Sequence, residues 1–404
     1  MARVLLAWEL GGGFGHLAPL RALARELRGR GHDCVFAVRE LEAAEDFLEP
    51  GLGAVVQAPL RLSPIRNPLR VQVSYASLLH NTGFDDAIAL AARLRAWHEI
   101  VQRYACDLLL TDHAPSAIAA AHGIGLPALQ QGSGFTVPPS THPYPLFQPD
   151  PRANPALLAH NEAEVSGVLA AAYARLGIDA PNSLQQVLDH AQPALLTYAE
   201  LDHYGARLHG SYLGLPDQAK GATPSWPPGD GPRLFAYLRP SRQLPALLTA
   251  LQRLPARVLL RIGGATAASL REFERPGFCI VDEAVNLQLA ARDCDGFINY
   301  AAHGTAAEML LAGKPGLLLP ETIEQSLMAM RVQQLGAAII VPVRGDFNLS
   351  AALRQLIDDT AMQRAAQAFA QRHAGQDRAA IVPALVDQAL ALIRNPQRAS
   401  PAGS

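Results

Sequence analysis

No CxxC pair, no long apolar run and no surplus of one charge sign occur in this 404-residue chain, and each absence removes a class of protein. The four cysteines, Cys34, Cys106, Cys279 and Cys294, are scattered and share no zinc-like spacing with histidine. They read as buried free thiols in a reducing compartment. No apolar stretch reaches the roughly 18 residues that span a bilayer. The opening "MARVLLAWEL" has one basic residue and is interrupted by Glu9, so it does not read as a signal-peptide core. The expectation is a cytoplasmic protein without a transmembrane segment, with peripheral membrane contact left open. A formal net charge of −2 provides no broad basic field, so nucleic acid is not an expected partner. Nothing in the sequence sets the oligomeric state.

What is present is apolar material in quantity. Hydrophobic residues make up 49% of the chain, enough for more than one core, and the length suggests two domains. "RVLLAW" reads as a strand, a glycine-rich turn follows, and Leu17, Leu20, Leu23, Ala24 and Leu27 recur at helical spacing. "DCVFAV" supplies the next buried strand. The same grammar returns at "CDLLLTDHAPSAIAAAHGIGLPALQQ", where a strand ends at Asp112 and a helix starts near Pro115. Residues 60–83 and 132–155 lack a clean period and read as long loops or loop-helix insertions. Residues 216–232, within the proline- and glycine-rich "GLPDQAKGATPSWPPGDGP", read as a linker. A second α/β series follows, with strand-like runs "RLFAYL", "ARVLLRI", "FCIVD", "GFINY", "PGLLLP" and "AAIIVPV". The expected fold class is α/β, with two Rossmann-like doubly wound domains at 1–215 and 233–376, a helix at 377–394 and a frayed tail at 395–404.

The stretch "ELGGGFGHLAPLRAL", residues 9–23, resembles a cofactor loop at first sight. A P-loop needs lysine and then Ser or Thr after its last glycine, whereas Gly15 is followed by His16 and Leu17. A dinucleotide fingerprint fails too, because His16 stands in place of the third glycine. Taken alone, the glycines would only permit a tight turn. Asp112, however, also follows an apolar strand, and the carboxyl ends of parallel strands open onto one crevice. An aspartate holding one imidazole nitrogen leaves the other to accept a proton, so His16 and Asp112 together form a candidate general base. His113 is a competing candidate, although a residue next to Asp112 more often points the other way.

The second half carries "FINYAAHGTAAEMLLAGKPGLLLPETIEQSLMAMRVQQLGAAIIV", residues 297–341. It resembles the nucleotide-sugar motif of GT-B glycosyltransferases, in the UDP-glycosyltransferase-like family of plant and bacterial natural-product enzymes. "GHLAPL" is similar to that family's N-terminal GHxxP segment. The resemblance implies two domains facing a central cleft, an acceptor in 1–215, a nucleotide sugar in 233–376 and a C-terminal helix crossing back to the first domain. It implies that His16 is the base and Asp112 its orienting acid. Thr305 would contact the diphosphate at a helix N-terminus, beside His303 and Gly304. Glu308 would bind the ribose hydroxyls, and Glu324 and Gln325 the donor sugar. The chain departs from the family at Tyr300, Ala301 and Ala302, where His-x-Gly is usual. The uracil-stacking tryptophan of plant members is absent near Glu283, with Val285 and Asn286 following.

A cation must meet the diphosphate charge, and Arg239, followed by Pro240 and Ser241 after the strand "RLFAYL", is the candidate. "DCD" at 293–295 lies just before an expected strand and reads as a turn, so no metal is expected, and no cofactor beyond the sugar nucleotide as co-substrate. The activity implied is inverting, metal-independent transfer of a sugar from a nucleotide-diphosphate donor, uridine favoured over thymidine, to the hydroxyl of a small or lipophilic acceptor. Gly15, Tyr75, Phe84, Phe135 and Tyr144 are the candidate acceptor contacts. A nucleotide-sugar epimerase of related fold and a non-catalytic auxiliary protein are the alternatives. Product from donor alone would favour the first, and nucleotide binding without turnover the second.

Overall fold

The computed structural model describes residues 1–148, 154–217 and 221–394. The expected tail at 395–404, and parts of the expected loop (149–153) and linker (218–220), lie outside the described residues. The chain divides into two compact units, the first formed by residues 1–198, 207–214 and 379 onward, the second by 199–206 and 215–378.

Unit 1 holds six parallel strands: β1 (Arg3–Trp8), β2 (Asp33–Val38), β3 (Ala54–Gln57), β4 (Leu108–Asp112), β5 (Ala128–Gly132) and β6 (Ala191–Leu195). Their order is β3-β2-β1-β4-β5-β6. The helices are α1 (Phe14–Gly29), α2 (Leu41–Phe47), α3 (Tyr75–Thr82), α4 (Ala87–Tyr104), α5 (Pro115–Ile124), α6 (Pro155–Ala174) and α7 (Leu184–Leu188). β1 is apolar after Arg3, β4 opens on three leucines, and both are buried almost throughout, as central parallel strands covered on both faces must be. β6 carries Pro193, and it lies at the sheet edge, where a missing N–H costs no ladder bond. The stretch 60–83 is not all loop, since α3 occupies its end, started by Ser77 Oγ accepting the Ser74 N–H at 2.9 Å.

Unit 2 repeats the plan with β7 (Arg233–Leu238), β8 (Arg257–Ile262), β9 (Phe278–Ile280), β10 (Gly296–Asn299), β11 (Gly316–Leu318) and β12 (Ala338–Ile340), in the order β12-β11-β10-β7-β8-β9. Its helices are α8 (Leu244–Gln252), α9 (Leu287–Asp293), α10 (His303–Leu311), α11 (Ile323–Gln334), α12 (Leu349–Asp358) and α13 (Thr360–His373). In each sheet the chain reverses its winding between the first and fourth strands of the unit. Loops leaving those two strands therefore diverge and open a crevice at their carboxyl ends.

The unit boundaries differ from those expected. Residues 199–206 leave the first domain because Glu200 accepts a hydrogen bond from Arg372 Nε at 3.0 Å and the His203 carbonyl accepts one from Arg331 Nη2 at 3.2 Å. The expected linker is built into unit 2: Ala222 bridges Val285, and the Arg233 guanidinium lies over the Trp226 ring at 5.7 Å. A final helix, α14 (Ile381–Arg394), belongs to unit 1 and packs on α1, burying Ile381, Leu385, Val386 and Leu390 in the same core as Leu17, Leu20 and Leu27. At roughly 1.5–3 kcal/mol per buried aliphatic side chain, these four contribute on the order of 6–12 kcal/mol, comparable to the net stability of a domain. Among the described residues, no helix is long and apolar enough to cross a membrane.

Candidate active site

In unit 1 the β1–β4 register sets Trp8 beside Asp112 at the carboxyl ends of the two strands flanking the switch point. From Trp8 the chain turns through Gly11 and Gly13, both at positive φ (84° and 85°), and enters α1 with Gly13 as N-cap and His16 in the first turn. His16 Nδ1 lies 2.8 Å from Asp112 Oδ1, with side chains only 16% and 7% exposed. The Trp8 ring stacks on the imidazole at a centroid distance of 5.5 Å. Asp112 thereby fixes the ring orientation, and the negative carboxylate offsets the bias of the α1 N-terminus against an imidazolium.

Gly11 serves the histidine itself. A Cβ on Gly11 would stand 2.2 Å from His16 Nε2, whereas one on Gly15 would meet nothing within 4 Å. Only a residue without a side chain lets the imidazole lie against this turn.

His113 does not point away from the site. Its backbone takes a left-handed conformation, φ 49°, which breaks strand alternation and brings its ring 6.4 Å from that of His16. Burial and the neighbouring His16 push its pKa down to about 3, so the ring is neutral at ordinary pH. Tyr75 and Phe135 each lie 6.2 Å from it, Tyr75 meets Tyr144 edge-on at 5.6 Å, and Phe135 stacks on Phe147 at 5.4 Å. Three of the four aromatic acceptor candidates thus gather around His113, all buried. Phe84 does not join them; it packs under the Arg93 guanidinium at 5.8 Å.

Sequence reasoning saw Glu9 only as an interruption in an apolar run. It is buried, accepting Arg93 Nη1 at 3.0 Å and the Ser116 N–H at 2.9 Å, while its carbonyl accepts Arg39 Nη1 at 3.0 Å. Burial raises its pKa against the opposing pull of Arg93 and Ser116. The β1 turn is thereby tied to the start of α5, just past Asp112. A charged residue immediately after a buried strand was the available signal.

In unit 2 the corresponding crevice lies beyond β7 and β10, which pair with Asn299 opposite Tyr237. Arg239, two residues beyond Tyr237, places its guanidinium over the Tyr300 ring at 4.8 Å. Burial raises the Tyr300 pKa, with Arg239 opposing. Ala301 is left-handed, φ 60°, its N–H donating to Asn299 Oδ1 at 2.7 Å, and leads into α10. The N-cap, Ala302, makes no side-chain capping hydrogen bond to the first turn of α10, which holds His303, Gly304 and Thr305, and a helix N-terminus of this kind favours an anion. The His303 ring is half-buried, and its desolvation pushes the pKa down to about 4 despite Asp202 nearby.

Thr305 and Glu308 are three apart on one face of α10, and both are buried. Glu308 is gripped by Arg378, Nη1 to Oε1 at 2.9 Å and Nη2 to Oε2 at 2.6 Å. Gln325 is already employed: its Oε1 accepts the N–H groups of Glu321 (2.8 Å) and Thr322 (3.2 Å), closing a capping box that starts α11. Its amide keeps only the NH2 for another partner. Glu324 lies in the same first turn. Val285 is held through its backbone bridge to Ala222, and the Ser241 carbonyl accepts the Leu244 N–H at 3.3 Å ahead of α8. "DCD" proves to be a helix end, since Asp293 closes α9 and Asp295 Oδ2 accepts the Arg233 N–H at 2.8 Å. Among the described residues, no group of three or more His, Cys, Asp or Glu side chains could hold a metal ion.

Two parallel doubly wound sheets, each with its polar residues at the switch point, define the fold of the GT-B glycosyltransferases. No protein-family model and no curated protein matches the chain. Solved structures match along almost its whole length. The glycosyltransferase SnogD from Streptomyces nogalater is 19% identical with a TM-score of 0.63, over 96% of this chain and 99% of that one. Glycosyltransferase VinC, solved with dTDP, is 16% identical with a TM-score of 0.67, over 96% and 100%. The spinosyn rhamnosyltransferase SpnG, solved with spinosyn aglycone, is 18% identical with a TM-score of 0.65, over 95% and 100%.

Proposed function

We propose that this chain is an inverting glycosyltransferase, moving a sugar from a nucleoside-diphosphate donor held by unit 2 to a hydroxyl of a small or lipophilic acceptor held by unit 1. The observation that carries the reading is the 2.8 Å contact between His16 and Asp112. With Nδ1 committed to the carboxylate, Nε2 takes the acceptor proton as the oxygen forms its bond to the anomeric carbon. The bond from that carbon to the phosphate oxygen breaks, and its electron pair leaves with the diphosphate. Asp112 stabilises the resulting imidazolium. The uncapped N-terminus of α10 and Arg239 receive the leaving charge, which removes the need for a metal or further cofactor.

The aromatic surround of His113 suits an aromatic or lipophilic acceptor, and the ligands in the VinC and SpnG structures, dTDP and spinosyn aglycone, are of the proposed classes. The same proposal has the enzyme work in the cytoplasm.

Differential scanning fluorimetry with UDP and dTDP, then mass-spectrometric transfer assays against an acceptor panel, tests the reading. His16→Ala should reduce transfer roughly 100-fold or more while nucleotide binding is kept. Unchanged transfer in that variant would reject the role of His16.

A further inference from the structure

We propose that Arg378 is a positioning residue that sets the ribose selectivity of the nucleotide site, so that the site accepts a 2′-deoxyribonucleoside diphosphate as readily as its ribose counterpart. The inference rests on the reading of Glu308 as the carboxylate that meets the nucleotide sugar, and concerns what that carboxylate can still accept.

The two Glu308 oxygens each have one lone pair facing their common edge and one facing outward. Arg378 fills the common edge with parallel N–H···O bonds, at 2.9 and 2.6 Å. A ribose cis-diol needs that same edge to donate both hydroxyls at once, because its two oxygens are spaced to match it. With the edge taken, only the two outward lone pairs remain, on opposite sides of the carboxylate, and a ribose approaching one side can reach one of them with one hydroxyl. The second ribose hydroxyl gains nothing from Glu308.

Nor does Arg378 stand aside easily. Its Nε donates to the Leu215 carbonyl at 2.9 Å and its Nη2 to that of Pro216 at 3.3 Å, and Asp217 Oδ1 lies 3.5 Å from Nε. The guanidinium is thus fixed from two sides, by the Leu215–Asp217 segment and by α10. Both side chains are largely buried, 17% and 7% exposed, so exchange of the fork for solvent is disfavoured. The planar fork is a property of arginine; a lysine would supply the charge from a single nitrogen and leave part of the edge open.

Isothermal titration of the full chain with UDP and with 2′-deoxy-UDP, which differ only in the 2′-hydroxyl, tests the proposal. In the wild type the two dissociation constants should agree within about threefold. Arg378→Lys should shift the ratio roughly tenfold toward UDP, the size of one added hydrogen bond to a charged acceptor. Glu308→Gln should weaken both nucleotides alike. An arginine that merely stabilised the fold would change both affinities together and leave the ratio unmoved, which would overturn the proposal. So would a wild-type preference for UDP above tenfold, a result that needs no variant to fold. If the folded wild type binds neither these nucleotides nor dTDP, the donor-site reading itself fails and the proposal goes with it. Binding with an unmoved ratio removes only the role of Arg378.

Discussion

Replacing Gly11 by alanine should dismantle the histidine–aspartate pair without touching either residue. The new Cβ would stand 2.2 Å from His16 Nε2, where ordinary contact begins at 3.4 Å, so the ring must retreat by at least about 1 Å. The 2.8 Å bond to Asp112 does not survive such a shift. The left-handed backbone, φ 84°, adds about 1–2 kcal/mol for any residue with a Cβ. Together with the weakened bond this gives a destabilisation of about 2–4 kcal/mol, or roughly 5–15 °C in Tm for a unit of this size. Transfer should fall on the order of 100-fold, the penalty that accompanies a displacement of about 1 Å at a reacting group. Gly12→Ala is the control, since its Cβ would meet nothing nearer than Glu40 Oε1 at 3.5 Å. Proton NMR offers a readout that needs no acceptor: the downfield ring N–H signal of the His16–Asp112 pair should be present in wild type and Gly12→Ala and absent in Gly11→Ala. An unaltered signal and wild-type Tm in Gly11→Ala would refute the reasoning.

Two further outcomes follow from buried charge. The pKa of His113 falls from 6.5 to about 3 on folding, so between these values the unfolded chain binds more protons. Its neutral burial therefore supports the fold fully above about pH 6.5 and loses that support as the pH drops, with an upper size of about 5 kcal/mol. Urea unfolding at pH 7 and pH 4.5 should show a smaller acid loss in His113→Gln than in wild type, and equal losses would contradict the assignment. Glu9→Ala leaves the Arg93 guanidinium buried without its carboxylate and should destabilise unit 1 by about 3–5 kcal/mol in chemical denaturation; a loss under about 1 kcal/mol would show that the pair is dispensable.

The strands around both switch points were legible because buried parallel strands are apolar runs bounded by glycine and proline, as "RVLLAW" and "RLFAYL" are. His16 and Asp112 could be paired from sequence because topology brings strand ends together whatever their separation along the chain. The orientation of His113 was hidden, since period-two alternation describes regular strands and a single positive φ reverses it. The Glu9–Arg93 pair and the Glu308–Arg378 fork were hidden for another reason: their partners lie 84 and 70 residues apart on elements whose docking no local pattern records. Residues 199–206 look like a continuation of the first series, and only contacts with Arg331 and Arg372 reveal where they dock.

The helix α14 carries a consequence for the order of assembly. Unit 2, apart from residues 199–206, is one continuous stretch, so a growing chain has synthesised all of its strands and helices before Ile381 is added. Unit 1 begins first and finishes later, because the core that holds Leu17, Leu20 and Leu27 is completed only by Ile381, Leu385, Val386 and Leu390. During synthesis that core stays incomplete while the later unit matures, reversing the usual order in which the domain made first also completes first.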